Sequence, residues 1–429
     1  MRRLVLVAAF AVALWAGVGL AAAPRALAAT WCGAGETSTD LPDLATGPQV
    51  HAVVVAPADG ADDFAALSGQ MATDIASIDA WWQGQDPTRI LRFDQAAFPT
   101  CTAPDISFVR LPQPASSLTN ADTALDTIIS DLTAVGLANP YKIYLVYYDG
   151  PSVESGVCGT GGGRFDQGPG WATVWLQGCP GVPLDSVAAH EILHALGALP
   201  AGAPHACAAE QGGAAHPCDS TQDVLYPYAS GAPLSQLLLD AGHDDYYAHG
   251  GPWDDIQDSV WMHRLDLPQE TLSVAFQGAG TVRSDQPGLA CTTTCSTQWD
   301  QASQVRLTAT PAAGTRFIGW TGACSGASVC DLTMNTAEST VAVFGPTVVT
   351  VRASVSGKGK VVCTPACSTH FQAGTSLTMR AVAAKGWQFK TWTGACKGKQ
   401  LVCRLLPNYS TSAKATFVKR PVVKPRARH

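Results

Sequence analysis

The sequence of 429 residues predicts one α/β (α+β) domain over residues 30–267, followed by two small all-β modules over residues 271–345 and 346–418. Three observations lead to this prediction. Apolar runs with strand and helix periodicity alternate in the first part, one pattern occurs twice in the second part, and all 14 cysteines follow residue 30. Residues 1–28 are predicted to be a signal peptide, and residues 419–429 a basic, disordered tail.

The N-terminus predicts export. Met1-Arg2-Arg3 precedes an apolar run from Leu4 to Ala23, and a segment of small residues ends near Ala28. This order is typical of a secretory signal peptide, here cleaved after Ala28, and an uncleaved membrane anchor is the alternative. After cleavage we expect no stable membrane insertion. An export signal with an even number of cysteines predicts a secreted, extracellular protein with disulfides.

The first domain alternates strands with helices. Its predicted elements, in order, are strand Val50–Ala56, helix Asp62–Gln83, strands Arg89–Asp94 and Asp105–Leu111, helix Ala121–Val135 and strand Lys142–Tyr148. Gly159–Gly163 is predicted to be a flexible loop, because no Lys-Ser/Thr pair or helix follows it as a phosphate site would need. Strand Trp171–Gln177 is predicted to be an edge strand, along which an extended peptide could add to the sheet.

The chemistry is concentrated in the next helix, Ser186–Gly197, which contains His190-Glu191-x-x-His194. Helical residues four apart lie on one face, so both imidazoles can reach one ion. Glu191 lies beside them and can accept a proton from a water that the ion activates. Asp185 or Ser186 can cap the helix start, and Gly197 can end it. The alternative is a core helix whose histidines have ordinary hydrogen bonds.

These residues resemble the metzincin clan of zinc metallopeptidases, and more closely a group of secreted actinobacterial metzincin-like proteins. Besides the helix motif, the matching pieces are Ala203-Pro-His205, His216-Pro-Cys218, Asp223-Val-Leu225-Tyr226 and the segment Leu239–Tyr247. The chain departs from the clan at Pro200, where the clan has its third ligand, and at Leu225, where it has a methionine.

The resemblance implies a Zn²⁺-dependent endopeptidase that acts on a protein or peptide. Its metal ligands would be His190, His194 and a third residue, either His205 or His216. We favour His205, because the shorter connection returns the chain to the metal sooner; a carboxylate such as Glu210 ranks lower. Glu191 would be the general base.

Further roles are predicted for residues that follow these histidines in the sequence. Tyr226 would stabilise the oxyanion of the tetrahedral intermediate, or simply pack in its turn. Asp223 would orient a ligand or cap the turn. A second cofactor, Ca²⁺, is an expectation for the cluster of Asp240, His243, Asp244 and Asp245, with a solvated acidic loop as the alternative.

The cysteines of this domain suggest three disulfides. Proximity in sequence predicts Cys158–Cys179 and Cys207–Cys218, which leaves Cys32–Cys101. A bridge between Cys207 and Cys218 would close the loop that contains both candidate third ligands. Cys32 could instead block zinc in a latent form.

The two modules share Trp-Thr-Gly-Ala-Cys, at Trp320–Cys324 and Trp392–Cys396. Each also has a Cys-x-x-x-Cys upstream and one cysteine downstream, which predicts two local disulfides per module from the cysteines Cys291, Cys295, Cys324 and Cys330, and Cys363, Cys367, Cys396 and Cys403. The pattern resembles the divergent B-repeat of internalin-like bacterial surface proteins. That resemblance implies a β-grasp-like extracellular module and no particular ligand.

The charge is distributed unevenly along the chain. Residues 346–429 contain 15 Lys or Arg and no Asp or Glu, so the rest has 27 − 15 = 12 basic and all 34 acidic residues. We expect this cationic part to be attracted to an anionic cell-wall polymer or polysaccharide, with no specific nucleic-acid partner for an exported protein. A solvated basic face is the alternative. For the whole chain, the alternative function is a non-catalytic cell-surface or adhesion protein built on a degenerate peptidase fold.

Overall fold

The computed structural model describes residues 4–7, 31–33, 35–165, 168–199, 202–211, 213, 215–364 and 370–421. The chain forms two compact units. The first comprises Met1–Glu270, Gln286–Leu289 and Gln298–Ser303, and the second comprises Thr271–Asp285, Ala290–Thr297 and Gln304–His429. The sequence departure at Pro200, the cysteine Cys367 and nearly all of the predicted tail lie outside the described residues.

The first unit contains ten strands and three α-helices in the part described. The strands are β1 (Leu4–Val7), β2 (Gln49–Ala56), β3 (Arg89–Ile90), β4 (Gln95–Phe98), β5 (Cys101–Pro104), β6 (Ile106–Arg110), β7 (Lys142–Tyr148), β8 (Val157–Gly162), β9 (Gly170–Trp175) and β10 (His263–Arg264). The helices are α1 (Phe64–Gln85), α2 (Ala121–Ala134) and α3 (Leu184–Leu196), with short 3-10 turns at Ala115–Ser117, Ala209–Gln211, Leu234–Gln236 and Ile256–Asp258.

The main sheet of this unit has the order β1-β8-β9-β7-β2-β6. Strands β6, β2, β7 and β9 are parallel, whereas β8 is antiparallel to β9 and β1 is antiparallel to β8. Successive residues of β2 enter different cores: Val54 packs in the core that contains residues of α1 and α3, and Val55 in the core that contains residues of α2. Burial on both faces explains why β2 and β7 are continuous apolar runs in the sequence.

Most predicted elements of this domain are present, with three corrections. Gly159–Gly163 is not a loop, because its first four residues belong to strand β8. The predicted edge strand Trp171–Gln177 corresponds to β9, which lies between β8 and β7, and the edge strand on this side of the sheet is β1, which pairs with β8. The strand predicted over Arg89–Asp94 is reduced to the two residues of β3.

The predicted signal peptide is described only at Leu4–Val7. The backbone of this strand pairs with β8, with Leu4 opposite Gly161 and Val5 opposite Thr160. None of the helices in the described part of the chain combines the length and the apolar character needed to cross a bilayer.

The strands of the two repeats run from β11 to β26. In the first repeat they are β11 (Gln269–Gln277), β12 (Gly280–Ser284), β13 (Ala290–Cys291), β14 (Cys295–Asp300), β15 (Gln304–Pro311), β16 (Thr315–Gly322), β17 (Cys330–Thr333) and β18 (Glu338–Pro346). In the second they are β19 (Val348–Val349), β20 (Val351–Ser356), β21 (Gly359–Thr364), β22 (Phe371–Gln372), β23 (Leu377–Ala383), β24 (Trp387–Gly394), β25 (Val402–Leu405) and β26 (Thr411–Lys419).

Each repeat pairs two small sheets around one core. The first has the sheets β14-β11-β18-β16 and β13-β12-β15-β17, and the second has β20-β26-β24 and β21-β23-β25 with the short pair β19-β22. The shared tryptophans occupy equivalent places: the buried indoles of Trp320 and Trp392 donate to the carbonyls of Ser328 and Gln400, each at 2.9 Å. No described residue of either repeat is helical, so the modules are all-β as predicted.

The predicted cysteine pairing is confirmed wherever both partners are described. The disulfides are Cys32–Cys101, Cys158–Cys179, Cys207–Cys218, Cys291–Cys295, Cys324–Cys330 and Cys396–Cys403. Cys363 is also disulfide-bonded. Cys32 is therefore a structural half-cystine rather than a thiol available to block a metal.

Candidate metal centre

Helix α3 presents the motif from a fully packed position. It begins at Leu184, after Pro183, and no side chain caps it; the carboxylate of Asp185 instead accepts a hydrogen bond from the Ser77 hydroxyl at 2.6 Å. It ends as predicted at Gly197, whose φ of +87° is the left-handed conformation that glycine adopts without steric cost. Every residue from Ser186 to Leu196 is buried, so the polar atoms of the motif need partners inside the protein.

Three imidazoles converge at this helix. Nε2 of His194 lies 3.0 Å from Nε2 of His190 and 3.3 Å from Nε2 of His216. Nitrogen ligands on a tetrahedral zinc ion, with Zn–N bonds of about 2.0–2.1 Å, lie roughly 3.3 Å apart. Three histidines with an open fourth position form the donor set of a hydrolytic zinc site. The residues therefore fit zinc in donor type and in spacing.

The protonation of the histidines supports the same reading. Nδ1 of His190 donates to the carbonyl of Val224 at 2.7 Å, which leaves the Nε2 lone pair pointing towards the other two rings. Burial, with the neighbouring imidazole of His216, lowers the pKa of His190 to about 3. Burial also lowers the pKa of His194 well below its ordinary value. Neutral rings have the lone pairs that a cation requires.

Glu191 lies beside this cluster with its carboxylate buried. The residue is 0% exposed, and within the described structure neither carboxylate oxygen has a hydrogen-bond partner. Burial raises its pKa well above the ordinary value. A carboxylate in such a place is costly unless a ligand or a water completes its surroundings.

Strand β8 makes room for Glu191. A Cβ on Gly159 would lie 2.4 Å from Oε1 of Glu191, and a Cβ on Gly161 would lie 2.6 Å from the Glu191 carbonyl oxygen. Only glycine allows the strand to approach the helix so closely. Gly159 and Gly161 are two residues apart, which is the spacing of one face of a strand. This spacing was visible in the sequence and indicates a strand rather than a flexible loop.

The third histidine of the cluster is His216, whereas we favoured His205 from the sequence. The two belong to one short hairpin closed by the Cys207–Cys218 disulfide, in which Cys207 N–H donates to the His216 carbonyl and Cys218 N–H donates to the His205 carbonyl. The hairpin brings His216 back to the helix. Chain length was therefore a poor criterion, because the connection reverses direction before it reaches the cluster.

His205 belongs to a different group of side chains. Its N–H donates to Oδ1 of Asp245 at 2.8 Å, and its Nδ1 lies 3.2 Å from Oδ2 of the same residue. His205, Asp219, Asp244 and Asp245 offer ligand atoms within 4.8 Å of one another. Of the residues predicted to hold Ca²⁺, Asp240 uses its carboxylate to accept the N–H groups of Asp245, Tyr246 and Tyr247. The Ca²⁺ expectation thus stays a prediction, restricted to Asp244 and Asp245.

Asp223 organises the turn that faces His190. Its carboxylate accepts hydrogen bonds from Leu225 N–H, Ala241 N–H and the Tyr246 hydroxyl at 2.7, 2.8 and 2.8 Å. Burial raises the pKa of Asp223 to about 7, although these hydrogen bonds lower it. Of the two predicted roles, the turn cap is the one observed, and it fixes the Val224 carbonyl on His190. Leu225, which departs from the metzincin pattern in the sequence, is fully buried.

A small pocket opens beside His190. Its lining includes Val187, Val224, Leu237, Tyr226 and Tyr228. Tyr226 is partly exposed there, and its ring contacts that of Tyr228 edge to face, with centroids 6.0 Å apart. Its role as an oxyanion donor remains a prediction. The pocket itself suits an apolar side chain.

Comparison with known proteins identifies the two repeats. Residues 281–348 and 347–421 each match the family model of the divergent InlB B-repeat domain. The matched segments are B-repeats. No curated protein matches the chain. Among solved structures, one match is the crystal structure of GBS52, the minor pilin of the Gram-positive pathogen Streptococcus agalactiae. The match is 6% identical in sequence, covers 37% of this chain and 100% of the pilin chain, and has a TM-score of 0.14, which is too low to indicate a shared fold.

Proposed function

We propose that this chain is a secreted zinc-dependent endopeptidase, with a metzincin-like first domain and two B-repeats. The observation that carries the proposal is the convergence of three buried Nε2 atoms, of His190, His194 and His216, beside the unpartnered carboxylate of Glu191. Core histidines commonly bond to oxygen atoms, whereas these Nε2 atoms face other imidazole nitrogens, which is how three histidines are arranged around one metal ion.

Each residue of the proposed site has a separate role. His190, His194 and His216 would hold zinc, and the Val224 carbonyl keeps His190 in the tautomer that presents Nε2. When bound, zinc supplies a Lewis acid that polarises a carbonyl and lowers the pKa of a water. Glu191 accepts the proton from the attacking water and later donates it to the leaving amine. The buried position of Glu191 keeps this proton transfer away from bulk solvent.

The sheet edge supplies a place for an extended substrate. Strand β8 is antiparallel to β9, and β1 pairs antiparallel along its other side. Because β1 lies in the predicted signal peptide, cleavage after Ala28 would leave this side of β8 open to an antiparallel peptide. Gly159 and Gly161 of the same strand contact Glu191. A peptide paired there would therefore pass close to the general base. The pocket beside His190 would then take an apolar side chain of the substrate.

The B-repeats and the disulfides are consistent with an extracellular or cell-surface protein. In the proposal, the second repeat holds the acidic peptidase near an anionic polymer of a cell envelope or matrix, because it carries the excess of positive charge.

Two measurements on the full chain test the peptidase. We expect about one zinc ion per molecule by elemental analysis, and hydrolysis of casein that a chelator abolishes and added zinc restores. Purified protein with intact disulfides but without zinc and without hydrolysis would overturn the proposal. That result would favour the non-catalytic surface protein, for which Pro200 and Leu225 are the sequence arguments.

A further inference from the structure

The two B-repeats have similar folds and different charges. Residues 271–345 contain three basic residues (Arg283, Arg306, Arg316) and four acidic ones (Asp285, Asp300, Asp331, Glu338), whereas residues 346–429 contain 15 basic and no acidic residues. Both modules have a buried tryptophan and a disulfide in equivalent places, Trp320 with Cys324–Cys330 and Trp392 with Cys396–Cys403, so the first repeat serves as an internal reference. What the second repeat adds is not required by the fold.

One face of the second repeat concentrates this difference. In the sheet β21-β23-β25 the residues Leu377, Met379 and Ala381 are buried in the core, and by strand alternation their neighbours point outwards. The outward positions are Lys360 and Val362 on β21, Thr378, Arg380 and Val382 on β23, and Val402 and Arg404 on β25. Lys360, Arg380 and Arg404 are all exposed.

The strand register places the three cations on a diagonal. Lys360 lies opposite Val382, two residues after Arg380, and Arg404 lies opposite Thr378, two residues before Arg380. Diagonal neighbours on adjacent antiparallel strands are about 7–8 Å apart. The cations therefore form a row across the sheet rather than a cluster, and a row fits a linear ligand with repeated charges.

One position of this row carries the opposite charge in the first repeat. Leu307 lies opposite Cys330 as Met379 lies opposite Cys403, so Arg306 and Asp331 correspond to Thr378 and Arg404. In the first repeat Nε of Arg306 lies 2.6 Å from Oδ1 of Asp331. In the second repeat the aspartate is replaced by an arginine and its partner by a threonine. The second repeat therefore has no acidic residue at this position to pair with a cation of the same face.

We propose that the face formed by Lys360, Arg380 and Arg404, which we call the diagonal face, binds a linear polymer of phosphodiesters. Guanidinium groups bind phosphate oxygens through two parallel N–H donors, as they also bind carboxylates, so the preference for a phosphodiester must come from the links between the charges. Val362 and Val402 are each 44% exposed and flank Arg380 on the neighbouring strands. These two valines form an apolar surface on which the carbon chains between successive phosphates can pack. This inference rests on the proposed tether and is independent of the peptidase chemistry.

The test uses the full chain and poly(glycerol phosphate) as the probe. We compare the variant K360Q/R380Q/R404Q with the matched variant R352Q/K390Q/K414Q, whose exposed cations lie on the other sheet, β20-β26-β24. Both lose three positive charges. At about 50 mM salt we expect the first variant to bind about tenfold more weakly than the second, and the slope of log affinity against log salt to fall by about 2.

The outcomes are separable. Equal loss in the two variants would overturn the diagonal face, since net charge alone would then explain binding. Equal affinity for polyglutamate of the same length would overturn the preference for phosphate, and tighter binding to single-stranded DNA would overturn the assignment to an envelope type of polymer. Casein hydrolysis is the control: it should be unchanged in both variants, so that failure of the tether is distinguished from failure of the peptidase.

Discussion

The first unit contains two buried clusters built around histidine, and they differ in what they leave unsatisfied. Around His51, Nδ1 lies 2.8 Å from Oδ2 of Asp94 and Nε2 lies 2.9 Å from Oγ of Ser107. Around His194, Nε2 meets only the nitrogens of His190 and His216. Both ring nitrogens of His51 therefore face oxygen partners. In the second cluster, Nδ1 of His194 has no hydrogen-bond partner among the described residues, and its Nε2 faces other imidazole nitrogens, as the ligands of one cation would.

The comparison also warns against reading sites from residue types. Ser107, His51 and Asp94 have the connectivity of a Ser-His-Asp triad, yet Ser107 and His51 are 0% exposed and Asp94 is 1% exposed. The residues of the His194 cluster are as deeply buried, but His190 also lines the pocket described above. The cation of this cluster is Lys142, whose Nζ lies 2.7 Å from Asp40, 2.7 Å from Asp43 and 2.6 Å from Asp94. We therefore expect the His51 cluster to contribute to stability, and the proposed chemistry stays with the His194 cluster.

The largest effect is expected from removing the third histidine. His216→Ala should abolish stoichiometric zinc and with it casein hydrolysis, because two histidines do not hold zinc as three do. His205→Ala is the matched control, since its ring pairs with Asp245 rather than with the cluster. Zinc titration of both variants measures the difference. The reverse order of affinities would return the third ligand to His205.

Removing the general base should keep the metal and lose the reaction. Glu191→Gln retains the size of the side chain and all three histidines, and we expect hydrolysis to fall by about a hundredfold to ten-thousandfold. Zinc content and near-UV circular dichroism should match those of the wild type. Turnover close to that of the wild type would refute the role of Glu191.

Breaking the other cluster should change stability without changing zinc. Lys142→Met leaves the carboxylates of Asp40, Asp43 and Asp94 without their shared cation. Burial alone would lower the pKa of Lys142, but these carboxylates raise it, so the lysine is charged. We expect a loss of about 3–5 kcal/mol in the free energy of unfolding, measured by denaturant titration. Loss of zinc from the folded variant would contradict the division between the clusters.

The sequence predicted the repeating features of this molecule better than the converging ones. Strands β2 and β7 and helix α2 follow from local periodicity, and the two repeats follow from copied cysteines and tryptophans. His190, Glu191 and His194 follow from one turn of helix. Three other features depend on contacts between segments that are distant in the sequence, and no local pattern predicts such contacts. They are the position of His216, the hydrogen bond from His190 to the Val224 carbonyl, and the close approach of Gly159 and Gly161 to Glu191.

Asp79 of α1 provides the smallest test, because burial raises its pKa to about 6, as burial alone also raises that of Glu191. Its charged form is favoured in the unfolded chain, where its pKa is near 3.8, so ionisation destabilises the fold above about pH 6 and costs nothing below about pH 4. Asp79→Asn should therefore raise the free energy of unfolding by about 1–3 kcal/mol at pH 8 and leave it nearly unchanged at pH 4. Denaturant titrations at both pH values measure this, with zinc content as the control. If the variant is instead less stable at pH 8, the Asp79 carboxylate has a favourable partner. The inference that burial alone raises the pKa would then be wrong for Asp79 and would lose support for Glu191.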